Sequence, residues 1–562
     1  MSPFIRSQAI TRGDRLVALS VFLVLLAAFT ATFSGLPDNP DSEVEFQTTS
    51  ALARKGTFAI GGTPEADAIL EHNFNIKKGR PGRENEYFSW FGVGQALVAL
   101  PFYYVGSGLE RLFPEFEQRH LETTAYGFPR SEYFQHLVVG WRNPLLTALT
   151  GALVVFVSRH IGTKRRYAWI VGLTYGLCTF AWPQARSTLS GVQATFFLFF
   201  GFLMLLRTAE DIARYQRPRP FAPLLFGVCL GMTFLTRAIL APAVLVLSVA
   251  FVWALFRGWK RTHRQGMPLR ELAMGFVPAL GFLGFFLWIN HARFGDPFET
   301  GYGPAGQYFG GHPGEGLFYL LVSPGAGLLW MAPGVMLAFF WFQRQFDRSN
   351  LRLFAMLCAL CTSVALPTAL LTGWHGAHTY GPRYLLPLLP FLWIGVGPAL
   401  DALHQNPAGS FIAKCTLALG LLTSLPGVLV DYATHNDLAL QAVRIAYPDF
   451  ETDFENEASR EEAWFVETKR DWRFAAPWAH WRIFRHRVAG LGESYPVREI
   501  FFLESDEVIQ PVYERERGFM HMAWIDFRQR LGGHLEPAIA ACILMIGAGL
   551  VFAVRGLDPD MA

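Results

Sequence analysis

Thr372-Gly-Trp-His-Gly-Ala-His-Thr-Tyr-Gly-Pro-Arg-Tyr384 joins one long apolar run to another, Leu385-Leu-Pro-Leu-Leu-Pro-Phe-Leu-Trp393. A helix needs about 20 apolar residues to cross a hydrocarbon core of about 30 Å, and runs of that order recur on both sides of this stretch. Backbone groups in lipid must be satisfied within their own segment, which selects helices. The chain therefore reads as an all-α polytopic membrane protein, with 372–383 as a polar turn at a membrane boundary. Trp374, His375, His378, Tyr380, Arg383 and Tyr384 crowd into that turn.

Composition agrees. Of 562 residues, 52% are hydrophobic and 17% charged, with 51 Phe and 16 Trp, which excludes an ordinary soluble domain. The net charge of +3 matters less than how Lys and Arg are distributed, and no nucleic-acid partner is expected. All six cysteines fall inside apolar segments, so neither a disulfide framework nor a thiolate metal site is indicated.

Arg6, Arg12 and Arg15 precede an apolar run at 16–33, read as an uncleaved first span with a cytoplasmic N-terminus. The segment 91–109 is interrupted by Gly92, Gly94, Pro101 and Gly106. If it spanned, the basic loop at Arg159, Lys164, Arg165 and Arg166 would face outward, against the positive-inside rule; it is expected to lie at the interface. About twelve spans follow from the length rule, near 16–33, 143–158, 167–184, 188–206, 221–236, 238–256, 273–290, 326–342, 353–371, 384–400, 412–430 and 536–554. The expected organisation is a transmembrane domain at 1–430 with a first outward loop at 34–142, an extracytoplasmic segment at 431–533, and a last span with cytoplasmic tail at 534–562. Segments 291–315 and 372–383 also face outward in this scheme. The 431–533 segment begins acidic (Asp449, Glu451, Asp453, Glu455, Glu457) and then mixes Trp472, Trp478 and Trp481 with Arg473, Arg482, Arg485 and Arg487. That pattern suits either a folded cap or a membrane interface.

Candidate chemistry lies in the outward turns. Asp41 follows Pro40 at the start of a short helix, where it serves as a cap, a general base or a metal ligand; Glu43 stands two residues on. In Asn290-His-Ala-Arg-Phe-Gly-Asp-Pro-Phe-Glu-Thr-Gly-Tyr302, Gly295, Pro297 and Gly301 enforce a tight loop. Asn290, Glu299 and Tyr302 are its candidate acceptor contacts, against the plainer reading of a structural turn. Pro382 suits the first turn of a helix whose N-terminus would attract anions, and Arg383 adds a permanent planar donor for phosphate oxygens. Trp374 and Tyr380 are suited to stacking on a sugar or prenyl unit, or to interfacial anchoring. His375 and His378 are spaced for a shared cation with no third ligand in view, so no cofactor is assigned and a divalent cation with Asp41 is left open.

These stretches resemble the C-type integral-membrane glycosyltransferases, a group that includes the protein O-mannosyltransferases and the aminoarabinose-to-lipid A transferases. Asp41 and Gly56 match the spacing of that family's first outward loop and helix. An interfacial helix follows, and Arg142-Asn-Pro144 matches the Arg that opens its second span. Phe294-Gly-Asp-Pro-Phe-Glu-Thr-Gly-Tyr302, Ser323-Pro-Gly and the 374–384 stretch resemble segments of bacterial and archaeal members. The pattern departs where many relatives carry a lysine before the interfacial helix: here stands Phe88-Ser-Trp-Phe-Gly92. The resemblance implies a polyprenyl-phosphate sugar donor, an envelope acceptor at the outer face of a prokaryotic plasma membrane, Asp41 as base, and Arg142 beside the donor phosphate. The competing readings are a flippase for a lipid-linked sugar, which predicts ionisable residues inside spans and repeat symmetry, and a non-catalytic envelope-assembly protein.

Overall fold

Among the described residues, eight helices are long and apolar enough to cross a membrane: Arg12–Ala31, Tyr133–His160, Gly191–Ile212, Ala238–Lys260, Leu269–Phe294, Leu351–Ala369, Pro407–Leu429 and Glu536–Leu557. A computed structural model of the chain describes residues 10–35, 40–61, 79–82, 86–123, 131–215, 219–261, 268–302, 308–344, 351–376, 379–448, 457–492, 494–511 and 522–558. Arg6, His378 and the acidic residues from Asp449 to Glu455 lie outside them.

The expectation of about twelve spans is thus corrected to eight, or nine if Arg383–Trp393 and Val396–Leu403, bent by 48°, form one broken span. Local chemistry explains each loss. Segment 167–184 divides into Arg165–Leu177 and Ala181–Arg186. Between them the Thr179 hydroxyl donates to Tyr175 O at 2.6 Å and accepts from the Ala181 N–H at 3.1 Å, turning the chain. Segment 326–342 divides into Leu328–Met331 and Val335–Arg344 around Pro333-Gly334, and a side chain at Gly334 would meet the Trp393 indole at 2.3 Å. Phe221–Thr236 is apolar but only 16 residues long. In the 384–400 segment Pro387 lies within a 3₁₀ helix, Arg383–Leu388, because proline lacks the donor that a continuous α-helix needs.

The first loop forms helix Pro40–Lys55, then three short antiparallel strands in the order Ala59–Ile60, Tyr87–Ser89, Gly79–Pro81, so the fold is not purely helical. The helix Gly94–Leu112 is not among the eight candidate spans. It packs between Pro40–Lys55 and Tyr133–His160, and Gly106 permits the closest approach, since a Cβ there would lie 2.6 Å from Gln135 Cα. Beyond Val430, the helices Tyr432–Ala446, Glu457–Arg470 and Ala476–Val488 close over a core of their own, including Leu438, Val443, Phe474, Ile483 and Phe501. We refer to this body as the cap.

The first and last spans pack directly on each other, with Gly549 and Gly556 seated against Val24 and Val17. At the end of that pair sits Asp14, with no solvent exposure. Arg159 Nε donates to it at 2.7 Å and Arg165 Nε at 3.1 Å, while Arg165 Nη1 reaches Gly556 O at 3.0 Å. One carboxylate therefore ties the first span to the second and, through Arg165, to the last. Removing one partner of a buried pair leaves charge uncompensated, at about 3–5 kcal/mol. Asp14→Ala should lower unfolding stability in detergent by about that amount; a loss under about 1 kcal/mol, the range of an exposed pair, would show that the node is dispensable.

Candidate active site

The helix Pro40–Lys55 sorts its acidic residues by period. Residues four apart share a face, so Asp41 and Glu45 point one way and Glu43 and Gln47 another. Glu43 accepts from Gln47 Nε2 at 2.6 Å and meets His136 Nε2 at 3.0 Å, and Phe46 stacks on the same imidazole. Glu43 thus fastens the helix to Tyr133–His160. Asp41 faces Arg383, whose Nη1 and Nη2 lie 3.4 and 3.5 Å from Oδ2 across 342 residues of chain.

Arg383 reaches that position because of the glycines before it. Gly376 and Gly381 adopt φ of 71° and 73°, the left-handed region that glycine enters without penalty. The Arg383 stem lies over Gly376, where a Cβ would be 3.1 Å from Cγ. The helix beginning at Arg383 is a six-residue 3₁₀ turn capped by Pro382, not the α-helix expected. Its dipole is correspondingly short, and positive potential comes from guanidinium groups. Arg383 Nη2 donates to the Tyr384 hydroxyl at 3.0 Å. Its guanidinium carbon lies 4.8 Å from the Tyr384 ring, and that of Arg237 lies 5.7 Å from the same ring, both within cation–π range.

These groups line a cavity of about 560 Å³ whose walls include Asp41, Trp90, Arg237, Tyr302, Arg383 and Tyr384. Arg293 lines it too, anchored through Nη1 to Ser89 O at 2.8 Å and Nη2 to Asn290 Oδ1 at 2.7 Å. Glu45 lies behind Asp41 and is buried. Burial pushes its carboxyl above the ordinary value, against Ser190 hydrogen bonding and the charges of Arg237 and Arg142, which favour the ionised form.

Of the residues singled out from sequence, Asp41, Arg383 and Tyr302 meet at the cavity. The others occupy supporting positions. Trp374 stacks on Tyr319 at 5.2 Å. His375 stacks on Phe465 at 5.6 Å. Tyr380 is buried, donating its hydroxyl to Thr423 O while its carbonyl accepts from Gln184. Asn290 braces Arg293 and reaches Pro297 O at 3.3 Å, and Glu299 accepts from the Gly301 N–H at 2.7 Å. Arg142 is fully buried, donating to Thr188 O at 3.0 Å. No group of three or more His, Cys, Asp or Glu able to hold a metal occurs among the described residues, which exclude His378. Sequence reasoning gave no site role to Arg237, Glu45 or Trp90, and named Tyr384 only as a member of the crowded turn. Glu45 was findable by its spacing of four from Asp41, and Arg237 as a lone cation between two apolar segments.

Residues 124–290 match the family described as dolichyl-phosphate-mannose-protein mannosyltransferase. That match bears out the resemblance drawn from the sequence motifs. Two crystal structures of ArnT from Cupriavidus metallidurans are similar to this chain. The one bound to undecaprenyl phosphate is 14% identical with a TM-score of 0.44, and the apo form is 12% identical with a TM-score of 0.45. Each comparison covers 96% of this chain and 76% of the other. No curated protein matches the sequence.

The raised pKa of Glu45 makes a stability prediction. The folded state holds this proton more tightly than the unfolded chain, so stability contributed by the protonated form is lost as pH rises from the ordinary carboxylate range through the folded pKa. Thermal unfolding across that range should show the decline in the wild type and a flatter profile in Glu45→Gln. Parallel profiles for the two proteins would show that Glu45 does not titrate between them.

Proposed function

We propose that this protein is a glycosyltransferase that takes a sugar from a polyprenyl-phosphate donor and passes it to a lipid, glycan or protein hydroxyl at the outer face of the membrane. The observation that carries this reading is the meeting of Asp41 and Arg383 at 3.4 Å on the wall of one cavity. A volume of about 560 Å³ suits a small-molecule headgroup. The arginines supply what a departing phosphate needs, and the carboxylate what an acceptor hydroxyl needs.

The chemistry follows from charge. A donor phosphate entering near Arg383 and Arg237 competes with Asp41 for the Arg383 guanidinium, whose fork matches phosphate oxygens. Asp41 thereby gives up its contact with Arg383 and can accept a proton. The acceptor oxygen attacks C1 of the sugar as its proton passes to Asp41. The C1–O bond to phosphate breaks on the opposite face, its electron pair stays on the phosphate, and polyprenyl phosphate leaves with inversion at C1. Fixed guanidinium groups stabilise that developing charge in a site walled by Trp90, Phe91 and Phe286. Arg237 supplies a cation on the cavity wall, while the 88–92 segment, without a lysine, brings Trp90 and Phe91.

The test is purified protein in lipid with a panel of polyprenyl-phosphate sugars, following release of polyprenyl phosphate. Asp41→Asn should lower kcat by on the order of 10²–10⁴-fold, as loss of a general base does, without raising the donor KM. Arg383→Ala should raise donor KM as well. Absence of donor cleavage by the wild type sinks the enzyme reading, and movement of intact lipid-linked sugar across vesicles would replace it with the flippase.

A further inference from the structure

The 372–384 turn is gripped by the cap at several points. Phe465 stacks on His375 at 5.6 Å, with an interplanar angle of 11°. Arg470 Nε donates to the Tyr319 hydroxyl at 2.6 Å, and Tyr319 in turn lies flat on Trp374. Between these contacts Lys469, only 1% exposed, extends its ammonium to Thr379 O at 3.4 Å and to the Tyr432 hydroxyl. All three side chains come from one helix, Glu457–Arg470. Its end lies on the 323–327 break: Gly325 N–H donates to Lys469 O at 3.1 Å, and a Cβ at Gly325 would lie 2.8 Å from Lys469 Cα.

A buried ammonium requires an explanation, because an ionised group out of water costs several kcal/mol unless it is compensated. The described groups around Lys469 are polar or positive. Tyr432 accepts its hydrogen bond and places its ring 4.8 Å away, Arg383 repels it, and His435 feels its charge. A structural anchor is made more simply with methionine or leucine. The ammonium sits instead where it fixes a carbonyl four residues before Arg383.

We propose that Lys469 is a positioning residue: from the cap it holds the Thr379 carbonyl and sets the turn from which Arg383 reaches Asp41. The site is then aligned only while the cap is docked. This inference rests on the glycosyltransferase reading for its effect on turnover, but not for its effect on the turn. Burial, reinforced by Arg383, brings the Lys469 ammonium down to about 7. The grip is strongest below that pH, where the charge is present, and weakens as pH rises through it.

The test combines hydrogen exchange with kinetics on the full chain in lipid. Lys469→Met should raise exchange of amides at 376–386 by on the order of ten-fold, leaving the spans Arg12–Ala31 and Glu536–Leu557 unchanged. It should raise donor KM by on the order of ten-fold, consistent with the cost of a misplaced binding group, and abolish the limb of the pH profile near 7. Tyr432→Phe removes an acceptor from the charged form and should shift that limb to lower pH; it carries the test if Lys469→Met fails to fold. Unchanged exchange at 376–386, a rise spread evenly through the spans, or a limb unmoved in Tyr432→Phe overturns the proposal. A wild type that cleaves no donor removes the enzyme reading alone, and exchange at the turn then decides this one.

Discussion

Three backbone carbonyls outside any helix, at Ser187, Thr188 and Leu189, set the problem that the membrane domain solves. The residues that carry them are buried within the protein, where an unpaired carbonyl is costly. Arg142 Nη2 donates to Thr188 O, and Asn143 Nδ2 donates to Ser187 O and Leu189 O at 2.5 and 2.9 Å. Two adjacent residues of Tyr133–His160 therefore stabilise the break before Gly191–Tyr215. Arg142 also points Nη1 at Gln95 O, 3.5 Å away, in the first-loop helix Gly94–Leu112. The clamp holds Ser190 where it meets Glu45 and Arg237 Nε. The position that the family resemblance assigned to the donor phosphate acts here one layer behind the cavity, by fixing the backbone that shapes it.

Charge in the site is only partly compensated within the protein. Arg237, Arg293 and Arg383 line the cavity. Asp41 pairs with Arg383, Arg237 and Arg142 only partly offset the burial that favours protonated Glu45, and Arg293 directs Nη1 to Ser89 O and Nη2 to Asn290 Oδ1. Attraction between unit charges in such surroundings is several-fold stronger than in water, so exchanging one anion for another at Arg383 is a large event. A ligand phosphate can take the place of Asp41 without leaving the guanidinium bare. In the proposed reaction that exchange would link occupancy of the cavity to the state of the carboxylate.

Much of this was legible from residue order, and the exceptions have physical causes. Apolar run length located the eight candidate spans among the described residues, and Pro and Gly punctuation in 91–109 separated that helix from them. Asp41 and Arg383 were both singled out, but that they touch is a fact of tertiary structure that periodicity does not carry. The span count failed where a run was apolar but interrupted, as at Thr179 and at Pro333-Gly334, because composition registers hydrophobicity and not where hydrogen bonding ends a helix. Glu43 and Glu45 look alike in sequence. Their opposite fates, one against His136 and one behind the cavity, follow from a 3.6-residue period that was not applied to the loop.

The aromatic residues of the 372–384 turn show why a suggestive cluster needs its neighbours before it is given a role. Trp374 and Tyr380 are suited to stacking on a sugar, yet Trp374 stacks on Tyr319, His375 on Phe465, and Tyr380 is buried in edge contact with His480. Their chemistry goes into docking the cap and the 313–322 helix against the turn. Aromatic surface in the cavity comes instead from Trp90, Phe91, Phe234, Phe286, Tyr302, Tyr308, Phe309 and Tyr384. A turn packed on its far side presents Arg383 and Tyr384 to the cavity. On the proposed function rigidity there matters, because a guanidinium that exchanges Asp41 for a donor phosphate works best if both partners are met without moving the backbone that carries it.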